Sequence, residues 1–303
     1  MRDSDAERAA WPPKGEPVLV IVGSIVVLLS IFGGFALMGG HLAALFQPVE
    51  LLIIGGAGLG AFLIANDAKT IAATLRALPT LLQRSRYSKS LYLELMAMLF
   101  DVLTRVRKEG LMALEDDVDN PYDSAIFNRY PRIMANHAIL EFITDYLRLM
   151  ISGNMDAFQI ENLMDNEIAT HEEDGELPAH TLGQLAEALP AFGIVAAVIG
   201  VVHTMASVGL PPAELGLLIA GALVGTFLGI LLSYGFVGPV ASLLRRKHHE
   251  STKMLQCVKG TLMASLNGYA PALAVEFGRK VISANERPSF QELDKLVRQA
   301  RGR

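Results

Sequence analysis

Small and hydroxyl-bearing residues recur on one face of each of two apolar segments in the second half of the chain. On the first segment they are Pro190, Gly193, Ala197, Gly200 and Thr204. On the second they are Ala222, Thr226, Gly229 and Ser233. Spacings of three or four place such residues on one helix face, where they let another helix approach closely. The same face could instead line a path for an ion and its water, with oxygen atoms from Thr226 and Ser233. The pattern leaves both interpretations open.

Ionisable residues are missing from the centres of all the apolar segments. Glu50, Asp67 and Glu187 lie at segment ends, and His203 lies near the outer end of the third segment. An ion-coupled membrane protein usually needs an ionisable group inside the membrane. The sequence therefore predicts no buried carboxylate in this part of the chain, so a partner would have to supply one for proton movement. His203 could relay protons, but a lone histidine at a helix end is more often structural.

Two prolines mark the inner ends of these same segments. Pro190 begins the first and Pro239 ends the second. Because proline lacks the backbone N–H and kinks or ends a helix, each residue either terminates its segment or forms a hinge. A hinge at these positions would couple the membrane part to the rest of the chain.

Opposite charges flank Gly110. Arg105, Arg107 and Lys108 precede it, and the acidic residues that follow are Glu115, Asp116, Asp117 and Asp119. Such a bipolar surface is suited to electrostatic docking, although most charge runs are simply solvated.

Four apolar segments are long enough to cross a membrane, which requires roughly 20 residues per helix. The predicted organisation is an N-terminal tail (1–16), spans at 17–38, 50–66, 188–205 and 215–240, outer loops at 39–49 and 206–214, a helical domain at 67–187 and C-terminal helices at 241–303. None of the 26 Lys and Arg residues lies in the outer loops, so the positive-inside rule places both termini and the middle domain in the cytoplasm.

The middle domain is predicted to be α-helical, with periodic apolar segments at 91–107, 135–150 and 157–171. Gly110, Gly153 and Gly175 are among the expected breaks between helices. The fold class is therefore an all-α integral membrane protein with four transmembrane helices and a helical cytoplasmic domain between the second and third.

Several classes of function have no signature in this chain. A single cysteine, Cys257, excludes an intramolecular disulfide, and the net charge of −5 gives no indication of a nucleic-acid partner. Walker, G-x-S-x-G and zinc-ligand motifs are absent from the sequence, so neither an enzyme nor a bound cofactor or metal is expected.

The segments LPAFGIVAAVIGVVHTM, GALVGTFLGILLSYGFVGP and NGYAPALAVEFGRK resemble the A subunit of the bacterial flagellar motor stator, the MotA/PomA family. The likeness extends from about Gly39 to Arg298. It implies a homo-oligomeric ring of A subunits in the bacterial inner membrane, around B subunits whose aspartate carries the ion. It also implies that the cytoplasmic domain generates torque on the flagellar rotor.

The same resemblance implies roles for individual residues. Arg107 and Glu115 match the residues that contact the rotor's switch-complex protein, although Arg105 and Lys108 are neighbouring candidates. Pro190 and Pro239 match the coupling prolines, and Thr226 matches the pore threonine. Sodium-driven members carry threonine where this chain has Ala197, so a transported proton is expected rather than sodium.

Two other functions remain open from the sequence. One is an energy transducer of the ExbB/TolQ type, which drives an envelope protein; the four spans, the large middle domain and the AVEFGRK segment disfavour it. The other is a membrane scaffold that conducts nothing.

Overall fold

The structure, a computed structural model, describes residues 16–206 and 208–301, so the predicted N-terminal tail lies almost wholly outside the described residues. Within these ranges the chain is helical and contains no β-strand. Four of the described helices are long and apolar enough to cross a membrane, and helices occupy the region between the second and third. The predicted fold class is confirmed.

The α-helices follow one another along the chain with short connections. They are α1 (Glu16–Leu37), α2 (Pro48–Ala65), α3 (Ala68–Ala77), α4 (Lys89–Glu109), α5 (Glu115–Asp119), α6 (Pro131–Met134), α7 (His137–Ser152), α8 (Ala157–Met205), α9 (Pro212–Ile230), α10 (Gly238–Leu266), α11 (Pro271–Val281) and α12 (Phe290–Arg301). Short 3₁₀ turns cover Leu42–Leu45, Leu78–Leu82, Leu111–Leu114 and Phe127–Arg129, and a π-helical segment covers Leu231–Val237.

The chain divides into two compact units. The first runs to Arg84 and resumes over Glu176–Arg246, and the second comprises Ser85–Gly175 and Lys247–Arg303. Helices α8 and α10 contribute residues to both units.

The first unit contains the four apolar helical stretches. Helix α1 leaves its apolar side chains exposed, as at Leu29, which is 67% exposed. Apolar surface in water costs roughly 25 cal/mol per Å², whereas hydrocarbon imposes no such cost. A bilayer is therefore the surrounding that fits α1.

Asp67, just after α2, caps α3 by accepting a hydrogen bond from the Thr70 backbone N–H at 2.8 Å. The hydrogen bonds with Thr70 lower the pKa of the Asp67 carboxyl.

The second unit is built around an apolar core of helix side chains. Leu95 and Leu99 of α4 and Ile143 and Leu147 of α7 are fully buried in it, together with Val258 of α10. The predicted helical segments 91–107 and 135–150 overlap α4 and α7. Both helices end where the sequence predicted a break, at glycines with φ of 88° at Gly110 and 63° at Gly153. Positive φ is a conformation that glycine adopts without strain.

The predicted break at Gly175 is wrong. Helix α8 runs without interruption for 49 residues, through Gly175, Pro178 and Pro190. A glycine inside a helix costs only about 1 kcal/mol relative to alanine, and each proline removes one hydrogen bond, so packed neighbours can offset the loss. Ala179 and Leu189, each adjacent to one of these prolines, are buried.

Simple termination at Pro190 and Pro239 is also wrong, because the backbone stays helical across both residues. Pro239 is the second residue of α10, which directly follows the π-helical segment. Because the helix continues on both sides of Pro239, its missing N–H removes one backbone hydrogen bond without ending the helix.

Candidate functional site

The small-residue faces of α8 and α9 contact each other. A β-carbon added to Gly193 would lie 2.8 Å from the carbonyl oxygen of Gly225 and 3.0 Å from Cα of Gly229. Two backbones approach this closely only where no side chain separates them. The interpretation of these faces as close helix packing is confirmed at these glycines.

Ser233 connects the region of one proline to that of the other. Its hydroxyl donates a hydrogen bond of 2.6 Å to the carbonyl oxygen of Ala186. Ala186 is four residues before Pro190, so its carbonyl is the one that a backbone N–H at position 190 would have bonded in α8. The carbonyl oxygen of Ser233 in turn accepts a hydrogen bond from the backbone N–H of Gly238, the residue before Pro239.

This arrangement differs from the role that the sequence suggested for Ser233. Its side chain is only 2% exposed, and its hydrogen is used in the bond to Ala186. The residue therefore bridges α8 to the π-helical segment. Segments of π-helix occur frequently at functional sites.

Ala197 and Thr226 lie at one level of the contact between α8 and α9. A β-carbon added to Gly225, the neighbour of Thr226, would lie 3.1 Å from the amide nitrogen of Ala197. Ala197 is buried and Thr226 is half-buried. Ser233 lies about two helical turns further along the chain from Thr226. The structure thus places Ala197 beside Gly225, the residue before Thr226, and leaves Ser233 to a separate interaction.

The prediction that the membrane part has no buried carboxylate is wrong for Glu50. This residue lies in the first turn of α2 and is 8% exposed. Its carboxylate lies against α8 and α9, since β-carbons added to Gly200 and Gly225 would be 3.2 Å from Oε1 and 2.7 Å from Oε2, respectively. Oε2 is buried and has no hydrogen-bond partner among the described residues. In the sequence Glu50 lies at the end of an apolar segment, and that position does not indicate that α8 and α9 would bury its side chain.

His203 lies near the outer end of α8, in its last turn. Its side chain is exposed, and no hydrogen bond joins its ring to another described residue.

The charged residues around Gly110 differ sharply in their surroundings. Arg105 contacts Asp117 at 2.6 Å and Glu109 at 3.1 Å. Asp117 is buried and also accepts a hydrogen bond of 2.6 Å from the Ser124 hydroxyl. Arg105 is therefore engaged in holding the short helix α5 against α4.

Arg107, Lys108 and Glu115 are exposed, and none forms an ion pair within the part of the chain that the structure describes. Arg107 and Lys108 lie in the last turn of α4, and Glu115 begins α5. Between them, Leu114 is fully buried and anchors the connecting turn. The fold thus presents two basic residues and one acidic residue on neighbouring helix ends, where a charged partner can reach them.

No group of three or more His, Cys, Asp or Glu side chains suited to a metal ion occurs in residues 16–206 and 208–301. Cys257 is fully buried, and burial raises the pKa of its thiol to about 12. A nucleophilic cysteine needs the thiolate form, which this pKa disfavours.

Comparison with protein families gives two matches that together span much of the chain. Residues 21–110 match the description "Motility protein A N-terminal", and residues 134–257 match "MotA/TolQ/ExbB proton channel family".

Individual relatives match over almost the whole chain. It is 56% identical to Motility protein A of Salmonella typhimurium, over 94% of this chain and 96% of the relative. It is 55% identical to Motility protein A of Escherichia coli, over 93% and 95% of the two chains. The Chemotaxis protein LafT of Vibrio parahaemolyticus is 34% identical, over 93% of this chain and 99% of the relative.

Two solved structures have the same fold. The structure of C. jejuni MotAB matches with a TM-score of 0.73 and 19% identity, covering 90% of this chain and 99% of the other. The flagellar MotAB stator complex from Bacillus subtilis matches with a TM-score of 0.68 and 26% identity, covering 84% of this chain and 92% of the other.

Proposed function

The chain belongs to the motility protein A family, within the MotA/TolQ/ExbB proton channel family, and we propose that it is the A subunit of a flagellar motor stator that couples proton flow to torque. The observation that carries this function is its 56% identity to a Motility protein A, extending over both units of the chain. An energy transducer for an envelope protein is the alternative that shares the proton channel family. The match of residues 21–110 to a motility-specific N-terminal region favours the stator.

The proposed assembly is a ring of A subunits in the bacterial inner membrane, around B subunits that each bring a proton-binding aspartate. The matched structures of MotAB complexes support a B-subunit partner. The cytoplasmic placement of both termini and the second unit is supported by the absence of Lys and Arg from the two outer loops.

The proposed ion path passes Thr226 and Ala197. Thr226 is half-buried, and its hydroxyl can hydrogen-bond a water or a protonated carboxyl group, whereas the Ala197 methyl offers no oxygen ligand. Sodium is held by several oxygen atoms, so this composition supports a proton as the transported ion.

Pro190 and Pro239 are the proposed points of coupling between proton binding and movement of the second unit. At both residues the regular hydrogen-bond pattern of the helix is interrupted while the helix itself continues. Fewer backbone hydrogen bonds make bending easier there. Ser233 lies between these two points and bonds to both regions.

The proposed rotor interface comprises Arg107 and Glu115, with Lys108 as a second basic contact. Their exposure, and the absence of ion pairs to them within the described chain, leave their charges available for a partner of complementary charge. Arg105 is less suited to that role, because Asp117 already engages it.

Deletion of the coding sequence in the source bacterium tests this function. The stator function predicts intact flagella that do not rotate, with swimming restored by the full chain. Loss of envelope integrity or of iron uptake with normal swimming would instead support the transducer. If the chain restores neither swimming nor the envelope functions, and causes no partner-dependent acidification of the cytoplasm, it would be a scaffold.

A further inference from the structure

We propose that Glu50 is a proton-binding group in the outer half of the ion path, which takes up protons from the outside and passes them inward to the carboxylate of the B subunit. This inference rests on the proposed function. It assigns the chain a working carboxylate of its own.

The first observation is the position of Glu50. It lies in the first turn of α2, while its carboxylate lies between Gly200 of α8 and Gly225 of α9. Gly225 precedes Thr226 in the chain, and its added β-carbon would be 3.1 Å from the Ala197 amide nitrogen. The carboxylate is therefore next to the level at which the proposed path passes between α8 and α9.

The second observation is the lack of a partner for a nearly buried acid. Buried polar atoms in proteins almost always have hydrogen bonds, and a buried charge is normally paired. Glu50 is 8% exposed, yet Oε2 has no hydrogen bond to any residue in the described ranges. A purely structural glutamate would be expected to use both oxygens in hydrogen bonds.

The surroundings permit both the charged and the neutral form of Glu50. The N-terminus of α2 favours a negative charge in its first turn. In contrast, Gly200, Ala222 and Gly225 present little but backbone and methyl groups, which favour the neutral acid. Opposing influences of this kind allow a carboxyl group to gain and lose a proton.

The other titratable groups on the adjoining outer turns provide no hydrogen bond to the Glu50 carboxylate. They are His203 at the end of α8, Glu214 at the start of α9 and His41 before the Leu42–Leu45 turn. All three are exposed, and no hydrogen bond joins any of them to Glu50. Gln47, one turn before Glu50, donates its side-chain N–H to the Ala44 carbonyl oxygen at 3.2 Å.

The chemistry of the site fits a proton rather than a metal cation. A sodium ion would need several oxygen ligands around it, and hard cations prefer such oxygen donors. The Glu50 oxygens lie beside Gly200 and Gly225 instead, and neither glycine has a side chain that could add an oxygen ligand.

Proton transfer through Glu50 is a balanced cycle. The carboxylate accepts a proton from hydronium on the outer side, which leaves water. The resulting carboxylic acid then donates the proton inward, through water, to the carboxylate of the partner. Glu50 returns to the carboxylate form, with no other bond changed.

The test measures proton uptake by the complete complex. Cells that produce the full chain with its B subunit, in a form of that partner that conducts constitutively, receive an inward proton gradient while cytoplasmic pH is recorded. The variants are Glu50→Gln, Glu50→Ala and Glu50→Asp. Glu214→Gln is the matched control, because Glu214 is also in the first turn of an apolar helix but is exposed. The amount of assembled complex is measured by co-purification of the two subunits.

Per assembled complex, we expect E50Q and E50A to reduce acidification at least about tenfold, as loss of a proton-transferring group does. E50D should retain flux with a shifted dependence on external pH, and E214Q should behave as the wild type. A structural role would change the amount of complex without moving that pH dependence.

Near-normal flux in E50Q or E50A would overturn the assignment, as would an unshifted pH dependence in an E50D that conducts. Failure of both neutral variants to assemble, with E214Q assembling normally, would also overturn it, because Glu50 would then hold the helices together. Absence of acidification in the wild type would instead overturn the proposed function itself.

Discussion

The hydroxyl of Ser233 donates a 2.6 Å hydrogen bond to the carbonyl oxygen of Ala186, the acceptor that Pro190 leaves without a helical N–H. A proline inside a membrane helix is tolerated when a neighbouring group bonds the freed carbonyl, and serine is one of the side chains that can do so. The bond therefore helps α8 to continue through Pro190.

Substitution of Ser233 by alanine should lower the stability of the complex. The Ala186 carbonyl would lose its donor, at a cost of about 1–3 kcal/mol for a buried group. Thermal unfolding of the purified complex in detergent should show a melting temperature reduced by a few degrees. Thr204→Val is the control, because the buried Thr204 hydroxyl bonds the Gly200 carbonyl within the same helix. Equal melting temperatures for the two variants would contradict the role given to Ser233.

Substitution of Gly193 by alanine should separate α8 from α9. The new methyl group would meet backbone atoms of Gly225 and Gly229, which cannot move aside without displacing the helix. Overpacking of this kind costs about 1–3 kcal/mol. We expect less co-purified complex and slower swimming. Gly216→Ala in α9 is the control, since nothing lies within 4 Å of the added β-carbon; similar losses in both variants would refute the prediction.

Substitution of Thr226 by valine should reduce proton flux while preserving assembly. Valine keeps the shape of the side chain but cannot hydrogen-bond a water or a protonated carboxyl group. We expect partner-dependent acidification to fall about tenfold or more, by analogy with the loss of other proton-transfer groups. The measurement uses the same recording of cytoplasmic pH, with Thr204→Val as the control. Flux in T226V equal to that of the wild type would remove Thr226 from the path.

Arg105 and Arg107 should respond differently to substitution. Arg105→Ala removes the cationic partner of the buried Asp117 and should lower the melting temperature, at a cost of about 1–3 kcal/mol. Arg107→Glu should leave stability unchanged but impair swimming, because this exposed side chain has no ion pair within the described chain. Comparison with Lys108→Glu identifies which basic residue dominates at the proposed rotor interface. Normal swimming in R107E and K108E alike would exclude this surface from torque generation.

Helix α12 should become less protected at acidic pH. Hydrogen bonds from Lys89 and from the Ser289 backbone N–H lower the pKa of the Glu292 carboxyl from 4.5 to about 2. Because the folded-state pKa is depressed, this stabilisation is present above pH 4.5 and is lost as the pH falls towards 2.

Hydrogen exchange of α12 provides the measurement for Glu292. At about pH 6, Glu292→Gln should exchange faster than the wild type, and the two should converge near about pH 2. Asp294→Asn is a matched control, because the ion pair of Asp294 among the described residues is with Arg298 on the same helix. Identical exchange in E292Q and the wild type at both pH values would show that the carboxylate does not hold α12.

The sequence predicted the features that depend on local pattern. The length of the apolar segments predicted the four long helices. Gly110 and Gly153 predicted helix ends, and both adopt positive φ in the structure. The sequence could not predict the features that depend on which helices pack against each other. The Ala186 carbonyl that Pro190 leaves free is bonded by Ser233, 47 residues away, and the burial of Glu50 depends on α8 and α9.

The same limit applies to the charged residues near Gly110. Three basic side chains lie within four consecutive positions of the sequence, at Arg105, Arg107 and Lys108, and the sequence does not distinguish their roles. Only the fold shows that Asp117 engages Arg105 and that the other two remain exposed.

Cys257 is the only cysteine of the chain and is fully buried, with its thiol pKa raised to about 12. Reagents that label thiols react with the exposed thiolate, so the native chain gives almost no background signal. A single reporter cysteine placed at an exposed position of the second unit outside the proposed rotor contacts, such as Phe158, would carry the label of this chain. Movement of the helices of the second unit can therefore be followed without first altering the natural sequence elsewhere.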